Sequence, residues 1–360
     1  MADLHEYPNQ AAGKPLQHAD RYSRQVLFEH LGRKGQEKLS AARVTLIGCG
    51  ALGTALADTL IRAGVGFLRI VDRDYVELNN LQRQVLFTEA DVAEGIPKAV
   101  AAAHRLAAIN STVNVEPIVA DAVPSNIESF VESTHLLLDG TDNFEIRFLM
   151  NDVAVKRRIP WVYGACVGTD GMVMPILPGE TPCLRCVWDR PPPPGISPTC
   201  DTAGILAATV HIVAALQSVE ALKILTGQPD ALNRKLVQVD VWTGRFEQFN
   251  TQSAYDKGDC PCCKHGKYEF LDAGDTNRTA LLCGRDAVQV SPGSGKIVDF
   301  EQIAARITPV AKAPPQFNRY LLRFEVEGCQ VSLFPDGRAI IKGVSELERG
   351  RSLYARYIGT

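Results

Sequence analysis

The chain has 360 residues, 46% of them hydrophobic, a formal net charge of −3 and 10 cysteines. That is enough apolar material for a large core, and the length favours two domains. The near-neutral charge gives a nucleic-acid partner no support, residues 1–18 lack the apolar stretch of a secretion signal, and the most apolar run, 203–216, is too short to span a bilayer and is interrupted by His211.

A cytoplasmic protein with no membrane or nucleic-acid partner is therefore expected. In a reducing compartment its cysteines serve as metal ligands, nucleophiles or small buried residues rather than disulfides. Residues 1–20 read as a flexible N-terminus and 21–39 as helical turns. From Arg43 strands and helices alternate, as in a parallel sheet covered by helices. The strand Val44-Thr45-Leu46-Ile47 runs into Gly48-Cys49-Gly50-Ala51-Leu52-Gly53, and residues 54–63 can be helical throughout. Strand, glycine turn and helix make a nucleotide-binding unit: Gly48, Gly50 and Gly53 permit a tight turn and let N–H groups approach a phosphate at the positive helix end. A second strand, 67–71, ends in Asp72, placed to accept hydrogen bonds from ribose hydroxyls. Taken alone, such a turn also occurs as a purely structural element.

Further strands are expected at 113–118, 135–138 and 161–165. The proline run 191–194, with Gly195 and Pro198, marks a crossover loop. A helix over 205–225 ends at Gly227, and 236–241 with 245–249 forms a hairpin. Beyond the cysteines near Cys260 the pattern changes, with strands at 279–282, 320–326 and 330–334 and helices near 300–307 and 345–357. Three parts follow: 1–20, a nucleotide-binding domain over 21–267, and a small α+β module over 268–360. Gly293-Ser294-Gly295-Lys296 is no phosphate loop, because Val290 stands where the first glycine belongs and Ile297 where Ser or Thr is needed.

Chemistry concentrates in a few segments. Asn79-Asn80-Leu81-Gln82-Arg83-Gln84 is too rich in amides for an ordinary connection, Lys98 follows, and Asp139-Gly140-Thr141-Asp142-Asn143 lies at the C-terminal edge of a strand. Two cations and two carboxylates around a nucleotide suit phosphoryl chemistry better than hydride transfer: Lys and Arg neutralise a triphosphate, and Asp can hold Mg²⁺. Singly, a residue such as Arg83 or Lys98 is more often a solvated surface charge, and Asp142 could merely cap the helix that follows it. Cys183-Leu184-Arg185-Cys186 and Cys260-Pro261-Cys262-Cys263 supply two C-x-x-C pairs, the pattern of a closed structural Zn²⁺ site, with Cys262 a competitor for Cys260 or Cys263. Cys200 precedes a helix expected to begin near Ala203, which would activate its thiolate. Cys49, Cys166, Cys283 and Cys329 read as small buried residues.

Arg21-Tyr22-Ser23-Arg24-Gln25, the glycine turn, residues 80–84, Lys98, residues 139–143 and the paired cysteines together resemble the ubiquitin-activating-enzyme-like sulfur-carrier adenylyltransferases, the ThiF/MoeB/HesA family, over about residues 21–263. The resemblance implies a Rossmann-like α/β sheet with a zinc-tied crossover region, binding ATP and Mg²⁺. It implies adenylylation of the C-terminal Gly-Gly of a ubiquitin-like sulfur carrier of thiamine thiazole or molybdopterin synthesis, with pyrophosphate released. By carry-over, Gly50 and its neighbours line the phosphates, Asp72 binds ribose, Asn80, Arg83 and Lys98 contact phosphates, and Asp142 coordinates Mg²⁺. Arg24 resembles the arginine that the other subunit of a homodimer inserts at the triphosphate. Cys200 occupies the place of a cysteine that takes the acyl group or handles the incoming sulfur. The C-terminal module, with Arg285-Asp286 and Asp336-Gly337-Arg338, resembles an extension of some bacterial members. It lacks a rhodanese-type cysteine loop, so a separate sulfur donor such as a cysteine desulfurase is expected. A nicotinamide-dependent oxidoreductase would leave Arg83, Lys98, Asp142 and the zinc cysteines without a role. A non-catalytic docking subunit would tend to lose the ATP residues.

Overall fold

The computed structural model describes residues 21–192, 200–274, 279–281, 286–291 and 298–359. The expected flexible N-terminus, Pro193 to Pro198, Cys283, Arg285 and Gly293 to Lys296 lie outside the described residues, as does the Cys200 side chain.

Eight strands form the first sheet: β1 (Arg43–Ile47), β2 (Phe67–Asp72), β3 (Asn114–Val119), β4 (Leu136–Asp139), β5 (Trp161–Val167), β6 (Asp170–Ile176), β7 (Leu236–Asp240) and β8 (Arg245–Phe249), in the order β3-β2-β1-β4-β5-β6-β7-β8. β1 to β5 run parallel, and β6, β7 and β8 add antiparallel. The central strands are apolar almost throughout because helices cover both faces. Leu46, Leu136 and Leu138 enter one core, while Ile47 and Leu137, one residue out of phase, enter the other. Helix α1 (Gly32–Ala41) leads into β1. Helices α2 (Ala51–Ala63), α3 (Lys98–Ile109) and α4 (Phe144–Arg157) make crossovers between parallel strands, and α5 (Ala207–Thr226) connects the antiparallel β6 and β7. The chain leaves β1 towards β2 and leaves β4 towards β5, so the strand order reverses between them and a crevice opens at their C-terminal ends.

The second sheet is antiparallel: β9 (Thr279–Leu281), β10 (Ala287–Val290), β11 (Gln316–Phe317), β12 (Leu322–Val326), β13 (Cys329–Leu333) and β14 (Ala339–Lys342), ordered β11-β12-β13-β14-β10-β9. Glu327 and Gly328, at φ +50° and +73°, turn β12 into β13, as a two-residue hairpin on right-twisted strands requires. One face packs on α6 (Phe300–Ile307) and α7 (Leu347–Tyr357) through Ile303, Ile307 and Leu353. Ala287, Phe334 and Ile340 instead cluster with Tyr75, which belongs to the first sheet's loops.

Some elements differ from the sequence expectations. Strand β6 was not expected because Gly171 and Pro175 break the pattern. β7 pairs only with residues 170–173, so Pro175 lies beyond that ladder. Residues 21–39 divide into a single turn, Ser23–Val26, and α1. The long helix begins at Ala207, after Gly204 (φ +75°) and a bridge from Ile205 to Gly168. Cys200 therefore opens a separate single turn, Cys200–Ala203, and does not stand at the N-terminus of α5. Among the described residues α5 is the one helix long and apolar enough to cross a membrane by length and composition. It packs on α2, β5 and β6 and buries Gln217 in the core.

Candidate nucleotide site and thiol cluster

The floor of the crevice is a lock of three glycines. Gly48 has φ +89°, and a Cβ there would come within 2.6 Å of the Gly140 carbonyl. Cβ atoms at Gly53 and Gly140 would each collide with the Gly48 carbonyl. The β1–α2 turn and the β4–α4 turn thus approach as closely as backbone allows. At Gly50 a Cβ would meet nothing nearer than Gln84 Nε2 and Gly140 O, both at 4.0 Å, so glycine keeps the space above the start of α2 open. No side chain caps that helix start, whose free N–H groups suit a phosphate.

At the end of β2, Asp72 Oδ2 accepts from the Cys49 N–H (2.6 Å) and Oδ1 from the Asp74 N–H (2.7 Å). Burial raises its carboxyl above the ordinary range, with Lys98 pulling it back. Lys98, 5% exposed, opens α3 and places Nζ 3.2 Å from Asp74 Oδ2. Arg73 pairs with Asp121 (3.0 Å). Burial works against its charge, but Asp121 and Asp74 outweigh burial, and Asp142 adds to their pull. Asn80 is buried, accepts from the Glu77 N–H and donates to Asn79, so its amide closes the turn Leu78–Asn80. Arg83 Nη1 donates to the Asn79 carbonyl at 2.8 Å.

On the other wall, Asn143 caps α4 by accepting from the Glu145 N–H (2.7 Å). This leaves Asp142 exposed and free of the capping role that the sequence allowed it. The loop is held from below by Arg147, whose Nε donates to Asp139 Oδ2 (2.9 Å) and whose Nη2 donates to the Thr141 (2.7 Å) and Gly164 (3.0 Å) carbonyls. Asp139 Oδ1 in turn accepts from the Thr141 N–H and hydroxyl. Arg24 is exposed on the turn Ser23–Val26. Its neighbours dock at the far ends of the helices: Gln25 donates to the Ala63 carbonyl (2.8 Å) and Arg21 to that of Ile109 (3.0 Å). Within one chain Arg24 thus sits at the opposite end of α2 from the glycine turn, a helix of about 18 Å.

Cys183, Cys186, Cys260 and Cys263 bring their Sγ atoms within 4.8 Å of one another. Sγ separations of 3.8, 3.6 and 3.4 Å join Cys183 to Cys186, Cys183 to Cys260 and Cys186 to Cys263. Four sulfurs about 2.3 Å from a zinc ion would stand about 3.8 Å apart, so the cluster fits that metal. Cys262 is outside the group: it accepts from Asn151 Nδ2 (3.3 Å). The same buried Asn151 accepts from the Leu184 N–H (2.8 Å), so one amide on α4 grips both cysteine turns.

Residues 22–262 match the ThiF family. The chain belongs to the ThiF family. It is 44% identical over 340 residues to the Sulfur carrier protein ThiS adenylyltransferase of Bacillus subtilis, covering 94% of this chain and 99% of that protein. The SAMP-activating enzyme E1 of Haloferax volcanii is 37% identical, covering 70% of this chain and 92% of its own. Among solved structures, E. coli MccB with MccA-N7isoASN superposes with a TM-score of 0.59 at 23% identity, over 69% of this chain and 75% of that one, a likeness of fold alone.

In this ThiF-family chain the fold gathers the glycine turn, Asp72 and Lys98 with Asp142 at one crevice and gathers the four cysteines. It leaves Arg24 remote and turns the Asn80 amide inward. Sequence reasoning missed Arg147 and Asp74. The one available signal for Arg147 was a cation amid the apolar run Ile146 to Met150, where a charge has to be paired.

Proposed function

We propose that the crevice binds ATP and adenylylates the C-terminal glycine of a ubiquitin-like sulfur carrier. The observation that carries this is the near full-length 44% identity to a ThiS adenylyltransferase, falling on a chain whose glycine turn, Asp72, Lys98 and Asp142 converge. The carrier carboxylate attacks the α-phosphorus, the bond to the β-phosphate oxygen breaks, and pyrophosphate leaves from an acyl-adenylate. Free N–H groups of α2 and the glycine turn receive the phosphates, Asp72 the ribose, and Lys98 and Arg83 the ground-state charge of the triphosphate, with Asn80 holding the turn that presents Arg83. Asp142 would hold Mg²⁺, which neutralises triphosphate charge when bound. The B. subtilis relative matches through the C-terminal module, which favours a thiazole-pathway carrier over a molybdopterin one. Pyrophosphate exchange should depend on ATP and be fastest with the thiazole carrier. Reduction of a nicotinamide cofactor without exchange on any Gly-Gly carrier would sink the reading. We assign the 21–267 part to this reaction, 268–360 to a C-terminal module whose first residues, Tyr268 to Leu271, pack in the core of the nucleotide-binding domain, and the whole to the cytoplasm.

The protein acts as a homodimer in this reading. Val219 on α5 and Val85 are exposed apolar residues lining a cavity of about 400 Å³ with His211 and Leu222, and Ile212 on α5 is exposed as well. A second copy covering this face could bring its own Arg24 to a site that its own chain keeps distant. Arg24→Ala and Asp142→Ala variants, each inactive alone, should regain part of the exchange when mixed, since one hybrid site is whole. Mixtures as dead as their components would remove the trans arginine.

The cysteine cluster holds one structural Zn²⁺ by this account. Cys186→Ser should lose the metal and lower the melting temperature, because thiolate binding is coupled to folding. Elemental analysis showing no zinc in chelator-free wild-type protein would refute the site. Cys200 acts after adenylylation, on acyl or sulfur transfer from a separate donor, so Cys200→Ala should keep exchange and lose carrier thiocarboxylate. Full thiocarboxylate production by that variant would make Cys200 a bystander.

A further inference from the structure

The segment between Asp72 and Asn80 is held from two sides. On the crevice side Asp74 touches Asp72 and Lys98, and Tyr75 bridges to Pro97, the residue before Lys98. On the other side lies the second sheet. Arg338, 3% exposed, donates from Nη2 to the Arg73 carbonyl at 2.7 Å, with its guanidinium 3.8 Å from the centre of the Phe334 ring. Lys342 pairs with Glu77, and Ser332 Oγ stands 3.3 Å from the Tyr75 hydroxyl. Arg323 lies over the Tyr75 ring at 4.3 Å. Gln289 donates at 2.9 Å to Asp121, the carboxylate that also pairs with Arg73. Residues from β10, β12, β13, β14 and the β13–β14 turn therefore converge on residues 73–77, with Asp121 beside them.

This concentration is more than a tether between two modules needs. Arg338 is also a costly group to bury: its Nε and Nη1 have no hydrogen-bond partner among the described residues, and its nearest carboxylate, Asp336, is 3.8 Å away. The single firm hydrogen bond it makes goes to the backbone of the residue next to Asp72. A loop fixed there fixes the Asp74 N–H that orients Asp72, and the Asp74 carboxylate that orients Lys98.

We infer that the C-terminal module is a positioning element of the nucleotide site. Through Arg338 and Lys342 it holds residues 73–77, and with them Asp72 and Lys98, in the arrangement that receives ATP. The inference rests on the crevice being the ATP site and extends it: nucleotide affinity depends on a module that touches no nucleotide. The displacement at phosphorus, once ATP is seated, proceeds on Asp142 and the glycine turn, which stand outside residues 73–77. By reciprocity, bound nucleotide stabilises the docked module.

The test uses full-length protein. Arg338→Met and Lys342→Met should each raise the KM for ATP in carrier-dependent exchange by about tenfold, with kcat within about twofold of wild type. Arg338→Lys, still able to donate to the Arg73 carbonyl, should recover most of the affinity. Loss of folded protein alone would lower kcat at unchanged KM, so that pattern overturns the inference. In the wild type, a non-hydrolysable α,β-methylene ATP analogue should slow amide exchange in β13 and β14, and no slowing would also overturn it. A wild type that neither exchanges nor binds ATP would overturn the proposed function together with this inference. A wild type that exchanges normally, beside variants of unchanged KM, would overturn this inference alone.

Discussion

Asp142→Ala is expected to lower carrier-dependent pyrophosphate exchange by about two to three orders of magnitude while leaving the melting temperature within about 1 °C of wild type. The two halves of that expectation have separate grounds. The carboxylate is exposed at the mouth of the crevice and within electrostatic reach of Arg73 and Arg147, the position from which it would hold Mg²⁺ against a triphosphate. Stability is spared because Asn143 caps α4 and Arg147 holds the loop. Exchange kinetics and a thermal melt on the same preparation check both, and an active variant would remove Asp142 from the site.

Arg147→Met should do the reverse damage, unfolding first and inactivating in consequence. Arg147 is 5% exposed and its partner Asp139 is fully buried, so removing the guanidinium leaves a carboxylate without its charge partner and two carbonyls without a donor. Breaking such a buried pair costs about 3–5 kcal/mol, which in a domain of this size lowers the melting temperature on the order of 10 °C. Asp139→Asn combined with Arg147→Met should recover part of that loss, because the stranded charge is gone. A single variant as stable as wild type, by calorimetry, would mean that water or a neighbour replaces the guanidinium.

The features legible in the sequence are those whose chemistry is local. The glycine turn declares itself because strand, turn and helix are contiguous, and the cysteine pairs because x-x spacing builds each knuckle from four residues. The first five strands declare themselves by their alternation with helices, though their order in the sheet does not. What was not legible depends on residues far apart in the chain. Arg147 acquires its meaning only when α4 packs it over β4, eight residues back but across a turn. The grip of Asn151 on Leu184 and Cys262 spans 33 and 111 residues, and that of Arg338 on Arg73 spans 265. β6, β10 and β14 were missed because short strands containing Pro or Gly, or lying beside them, show little period-2 signal. The start of α5 was placed early because Ile205 and Leu206 continue its apolar run, yet Gly204 carries a turn and Ile205 a bridge.

The contact of Gly48, Gly53 and Gly140 makes two turns into one rigid body. Each turn brings a different part of the candidate chemistry, one the N–H groups for phosphate and the other Asp142, and backbone against backbone leaves no flexible side chain between them to absorb a shift. The spacing between anion cradle and metal-binding carboxylate is therefore set by peptide geometry itself. A change in the depth at which a nucleotide sits has to be made elsewhere around the rim, at side chains such as Lys98 or Gln84, and not by sliding one strand end past the other.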